Sequence, residues 1–208
     1  MSSGPGAGAP DLTLVEALGR VPTAVASDAM DRTNAMASAI RPLFEGARLC
    51  GPAVTVAACV GSNEGAVRAL DAVKPGDVVV IDARGCTDCA VWGGLLSALA
   101  RRRGVAGVVI DGAVRDAAEQ RSLRFPVFCR GIVAAGPPRP GPDRVNVGIQ
   151  CGGVRVDPGD LILGDDDGVV VVPLARAEEV LERTRALLAR EEDWMAMIER
   201  GESPFDRR

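Results

Sequence analysis

Two short β-branched runs, Asp77 to Asp82 (DVVVID) and Gly107 to Asp111 (GVVID), constrain this chain more than any other feature. Each is a continuous apolar run of strand length, which is the pattern of a strand buried on both faces. Between them Trp92, Leu95, Leu96 and Leu99 recur at helical spacing, which predicts an amphipathic helix over residues 92–103. Strand, helix, strand is the repeat of a layered α/β domain, and the rest of the chain is read against it.

Upstream, DLTLVEALGR (11–20) reads as a short helix capped by Asp11 or Thr13, and a second helix begins at Thr23, with Asp28 as a cap. Gly51-Pro52 introduces a strand at Ala53–Cys59, and residues 63–73 form a helix stopped by Lys74-Pro75-Gly76. Downstream, Arg124–Cys129 is a further strand, and GPPRPGP (136–142) is a rigid loop with Arg139 as its only charge. Three short strands follow at 145–150, 153–156 and 160–163, divided by Gly152-Gly153 and Asp157-Pro158-Gly159. Asp165-Asp166-Asp167-Gly168 lacks the alternate ligand spacing and closing Glu of an EF-hand, so it reads as a tight turn into Val169–Pro173. Ala175–Arg200 is a long helix of mixed charge that folds over its own sheet or packs on a neighbouring subunit.

Length and an apolar content of 47% suit one core, so one domain is expected over residues 11–208, after a disordered tail at 1–10. No apolar run reaches a membrane span and the start carries no leader signature, which points to the cytoplasm. The net charge of −4, with both signs interspersed, gives no footprint for nucleic acid.

Absences narrow the chemistry. The chain has no His and no Tyr, which excludes Ser-His and Cys-His nucleophilic mechanisms and the usual histidine zinc sites. A general base must then be a carboxylate, a thiolate or a metal-activated water. The one lysine, Lys74, sits in a turn where nothing would desolvate it, which disfavours a Schiff base. Any electron sink for a carbonyl substrate should therefore be a divalent ion. Of six cysteines, Cys86 and Cys89 form a C-x-x-C, but without a second pair or a histidine a zinc site lacks ligands, and redox activity is the weaker reading.

The candidate site lies between Ala90 and Glu119. Gly93 and Gly94 open the predicted helix, where unpaired first-turn amides and the positive end of the dipole attract an anion. Arg115 and Asp116 follow the second apolar run, at the carboxyl edge where α/β sheets gather ligands. Asp82 and Asp111 end strands and are read as supporting or capping groups. Arg130 is read either as a contact for a distal substrate carboxylate or as a partner of the acidic turn at 165–167.

The ordered set GPAVTV (51–56), PGDVVVID (75–82), WGGLL (92–96), GVAGVVIDGAVRD (104–116), FPVF (125–128), CGGVRVDPGD (151–160) and DDDGVVVVP (165–173) resembles the RraA-like family. That family holds regulators of ribonuclease E activity and 4-hydroxy-4-methyl-2-oxoglutarate/4-carboxy-4-hydroxy-2-oxoadipate aldolases. The resemblance implies an α/β, swivelling β/β/α fold, with the C-terminal helix on a neighbouring subunit of a homotrimer or hexamer. It also implies a divalent metal, Mg²⁺ or Mn²⁺, and a small 2-oxo acid substrate. By motif, Asp116 would bind the metal and Arg115 the keto or enolate oxygen, while the amides near Gly93, Gly94, Leu95 and Leu96 would hold the carboxylate. Glu191 of an adjacent subunit, or Glu192, would complete the metal's water shell. The aldolases carry an Asp where this chain has Gly94, which shifts the expectation from aldol cleavage toward oxaloacetate decarboxylation. The rival expectation is a non-catalytic regulator of ribonuclease E or a helicase.

Overall fold

The computed structural model describes residues 11–138 and 140–205. The tail at 1–10 and Arg139 lie outside the described residues.

The apolar runs form a parallel sheet. β2 (Leu49–Ala57), β3 (Val78–Trp92), β4 (Gly107–Val114) and β5 (Val127–Ile132) lie side by side, with β1 (Arg41–Pro42) antiparallel to the outer edge of β5. The connections are helices α3 (Glu64–Ala72), α4 (Gly94–Arg102) and α5 (Ala117–Leu123). Side chains alternate between two cores, as the period of two in a strand requires. Val79, Ile81, Val108, Ile110 and Val127 pack with Ala66, Leu70 and Ala100 of the helices. Val78, Val80, Val109 and Phe128 face a second layer, built from the hairpin β7 (Ile149–Cys151) and β8 (Val154–Val156) and from β9 (Leu161–Asp165) and β10 (Gly168–Val172). Each fully buried Val or Ile contributes roughly 1.5–3 kcal/mol relative to an exposed one.

β2 joins both sheets, which the sequence reading missed by starting this strand at Ala53. Leu49–Pro52 pair antiparallel with β9, whereas Ala53–Ala57 pair parallel with β3, and β6 (Arg144–Val145) adds to the far end. Pro52 has no N–H to give, so the hand-over between partners falls where the ladder loses least. Gly51 is held there by sterics: a Cβ would stand 2.0 Å from the Gly76 carbonyl oxygen. That oxygen belongs to the turn whose Gly76 N–H donates to Gly104 O at 2.8 Å, so it cannot swing away as a side chain would. Gly51→Ala should therefore cost about 2–3 kcal/mol and lower the melting temperature by roughly 4–12 °C. Melting within about 2 °C of the parent would show that the turn yields.

The third layer consists of α1 (Leu12–Leu18), α2 (Thr23–Ala29) and α6 (Ala177–Glu199), packed over Leu161, Leu163, Val170 and Val172. Asp11 caps α1, its Oδ1 accepting from Thr13 N–H at 2.9 Å. Asp28 is not a cap: it sits inside α2 and pairs with Arg32, while Thr23 anchors the helix start on the Asp165 carboxylate. The first half of α6 covers its own domain through Val180, Leu181, Leu187 and Leu188, because its apolar stripe matches α1 and α2. Of the two expected placements, that half takes the one over its own sheet. Beyond Arg190 the stripe continues into Met195 and Ile198, which are exposed. The acidic segment at 165–168 is the expected tight turn, closing the β9–β10 hairpin with Asp165 opposite Gly168. No helix among the described residues is long and apolar enough to cross a membrane.

Candidate active site

β4 delivers its last residue, Val114, to the carboxyl edge of the sheet, and the chain turns there. Asp116 takes a left-handed conformation (φ 56°, ψ 39°) as the cap of α5. This costs a non-glycine residue roughly 1–2 kcal/mol and persists only when neighbours over-determine it. Here they do. Arg115 N–H donates to Trp92 O and Gln120 N–H to Asp116 O, both at 3.0 Å, and the Gln120 side-chain amide donates to Arg115 O. Trp92 Nε1–H donates to Ser97 Oγ at 2.8 Å, and that hydroxyl donates to Gln120 Oε1 at 2.7 Å. Trp92, Ser97 and Gln120 are buried, so this fully paired chain ties β3, α4 and α5 to the Arg115–Asp116 corner.

The two side chains face the start of α4, and both are about half exposed. Asp116 Oδ2 accepts Gly94 N–H at 3.1 Å and lies 3.6 Å from Arg115 Nε. So exposed an ion pair adds little stability, which makes it a poor structural device. A Cβ on Gly93 would stand 2.6 Å from the same Asp116 oxygen, so glycine is what admits the carboxylate. A Cβ on Gly94 would stand 2.3 Å from Glu119 Oε2, which places a second carboxylate over the adjoining glycine. On the other side the segment after β5 backs the guanidinium, with a Cβ on Gly136 falling 2.7 Å from Arg115 Nη1.

The structure thus brings together Gly93, Gly94, Arg115 and Asp116, with changes. Trp92 is the last residue of β3 rather than part of the helix, because its backbone pairs with Val114. The Gly94 amide is not open to an anion, since Asp116 already occupies it. The Leu95 and Leu96 amides donate to no acceptor among the described residues. Arg130 pairs with the buried Asp111 rather than with the acidic turn, and Asp111 also accepts Gly152 N–H at 2.7 Å. The acidic turn is held instead by Arg41, which donates to the carbonyls of Asp166 and Asp167. Asp82 accepts the Arg84 N–H at 2.8 Å, and burial pushes its carboxyl above the usual range against that bond. It helps line a separate cavity of about 490 Å³ with Arg84, Arg144 and Arg155.

Glu191 and Glu192 lie on the exposed half of α6. No three metal-ligating side chains gather among the described residues, so Glu191 does not join Asp116 and Glu119 within one chain. Sequence reasoning missed Glu119, Ser97 and Gln120. Glu119 was findable: three residues past Asp116 at a helix start, it shares a face with the cap.

The chain as a whole is similar to known proteins. The Aldolase/RraA model of the RraA-like family matches residues 23–171. A protein of Halalkalibacterium halodurans named "Putative 4-hydroxy-4-methyl-2-oxoglutarate aldolase" is 42% identical over 172 residues, covering 83% of this chain and 82% of its own. A solved structure from Pseudomonas syringae pv. tomato, described as an uncharacterized protein, superposes with a TM-score of 0.84 at 30% identity, over 95% of this chain and 97% of that one. Streptomyces coelicolor RraAS2, described as an unusual member of the RNase ES inhibitor RraA protein family, gives a TM-score of 0.78 at 32% identity, over 91% and 99%. The matched segment spans most of the chain and contains Gly93, Gly94, Arg115, Asp116 and Glu119; the protein belongs to the RraA-like family.

Proposed function

We propose that this protein is a carbon–carbon lyase that forms pyruvate from small 2-oxo acids through an enolate, with oxaloacetate decarboxylation as its main reaction and aldol cleavage of 4-hydroxy-4-methyl-2-oxoglutarate as the lesser one. The observation that carries this is the cradle itself: an arginine and two carboxylates set over a glycine pair, one carboxylate held by a backbone amide. A binder would have no use for a strained Asp116 there. The aldolase name of the relative at 42% identity supports the same reaction class.

Asp116 and Glu119 offer hard oxygen donors at one half-open place, which suits Mg²⁺ or Mn²⁺, ions that keep several waters and need one or two protein carboxylates. When bound, such an ion supplies Lewis acidity toward a keto oxygen. The chain's own groups do the rest. The free Leu95 and Leu96 amides at the positive end of α4 hold the substrate's 1-carboxylate. Arg115 stabilises the charge that gathers on the keto oxygen as the bond to C4 breaks. Decarboxylation needs no base for a hydroxyl proton, whereas aldol cleavage does, and Glu119 is the carboxylate nearest to the position where the aldolases carry an aspartate. Leu95 and Leu99, exposed beside the cradle, are the surface on which a second copy would close the site and bring its own Glu191.

The test is pyruvate release from both substrates with Mg²⁺ and then with EDTA. Release from oxaloacetate should exceed that from the aldol substrate and fall to background in EDTA. Metal-loaded protein silent on both would remove the proposal. The likeness to RraAS2 favours a second reading, inhibition of a ribonuclease, which predicts that inhibition survives EDTA and loss of Asp116.

A further inference from the structure

β3 carries a device that neither the fold nor the proposed reaction requires. It runs for 15 residues beside the 8 of β4, and the excess is taken up in bulges. Asp82 pairs with Asp111 and Cys86 with Gly112, so four steps of β3 span one of β4, and the same happens again between Cys86 and Ala90, which pairs with Ala113. Arg84 and Gly85 both take positive φ in the first bulge. On a regular strand residues i and i+3 point to opposite faces, but here the second bulge turns Cys86 and Cys89 toward each other, with their sulfurs 4.0 Å apart.

We infer that Cys86 and Cys89 are a reversible disulfide site whose oxidation by a peroxide is felt at the Arg115–Asp116 corner. The pair is asymmetric in the right way. Cys86 is partly exposed and Cys89 is buried, so a peroxide reaches Cys86 first and Cys89 resolves the product. The Cys86 thiolate attacks one peroxide oxygen; the S–O bond forms, the O–O bond breaks, and the departing hydroxide takes a proton to become water. The Cys89 sulfur then attacks the sulfenic sulfur, forming the S–S bond and expelling the second oxygen as water. Two thiols lose two electrons, and the peroxide gains them. The sulfurs must close from 4.0 Å to about 2 Å. Three of the other four cysteines are poorly placed to compete: burial pushes Cys50 up to about 12 and Cys129 up to about 11, and raises Cys151 as well; the fourth, Cys59, is partly exposed.

Closing this bulge pulls on the next residues. Ala90 N–H donates to Ala135 O at 2.8 Å, and the adjoining Gly136 backs the Arg115 guanidinium. Two residues further, Trp92 O accepts Arg115 N–H and its indole starts the buried chain to Gln120. Both routes end on Arg115.

Folded protein treated with hydrogen peroxide should lose about 2 Da and two of its six thiols, with a peptide linking residues 86 and 89, all restored by dithiothreitol. Cys86→Ser and Cys89→Ser should each abolish the link, and Cys59→Ser should keep it. In a Trp194→Phe variant, which leaves Trp92 as the only tryptophan, emission should change on oxidation and return on reduction. Gain of oxygen without the link, or a link that survives in Cys89→Ser, overturns the site. A link with unchanged Trp92 emission overturns its coupling to the corner. A slowing of pyruvate release by threefold or more is the further expectation; it rests on the lyase reading, whereas mass and emission do not.

Discussion

Asp116→Ala is expected to lower pyruvate release from oxaloacetate by about 10²–10³-fold while leaving the fold intact. The carboxylate is about half exposed and its partners are the Gly94 amide and the neighbouring arginine, so its removal strands no buried charge. What is lost is one of the two hard donors at the glycine pair and the anion that fixes the side chain of Arg115. Left-handed backbone is harder for Ala than for Asp, whose short polar side chain tolerates it, so a melting decrease of roughly 2–4 °C should accompany the change. Asp116→Asn separates the two effects: it keeps the backbone preference and an acceptor for Gly94, and should still lose most of the activity. Full activity in Asp116→Asn would mean that the carboxylate charge plays no part.

The layered architecture was legible because Val78–Ile81 and Val108–Ile110 are too short and too apolar to be anything but doubly buried strands, with an amphipathic helix between them. The polar stretch Arg84 to Cys89 was not legible as strand. It has neither alternation nor an apolar run, and its extended state is imposed by pairing with β4 across the bulges. The same limit hid the β2 crossing, since a strand that exchanges partners at Pro52 shows the change only in its neighbours. At the site, Arg115, Asp116 and the glycine pair stood out as residue types in an expected place. The engagement of the Gly94 amide did not, because it depends on a left-handed φ at Asp116 that no periodicity encodes. The Asp111 partner of Arg130 was hidden for a related reason. Asp111 lies 19 residues away on the next strand, within reach only because β4 and β5 are parallel neighbours.

Gly94→Asp, which restores the acid of the aldolases, should fail by itself and succeed in company. The new Cβ would fall 2.3 Å from Glu119 Oε2, so Glu119 has to swing out, and two carboxylates would then compete for one corner. Like charges at that range cost enough to lower decarboxylation by about tenfold. The backbone is not the obstacle: residue 94 is the first residue of α4, without positive φ, and an acid in a first helical turn is favoured by the dipole. Removing the competitor should therefore reverse the loss. In Gly94→Asp with Glu119→Ala, decarboxylation should return to within a few-fold of the parent and aldol cleavage should rise at least tenfold, because the base then comes from α4. Glu119→Ala alone should lose about tenfold in both reactions, so the two changes are coupled by about 1.4 kcal/mol or more in a double-mutant cycle. Independent, additive losses would show that Glu119 does not occupy the place of the missing aspartate and that its position over Gly94 has no bearing on the chemistry.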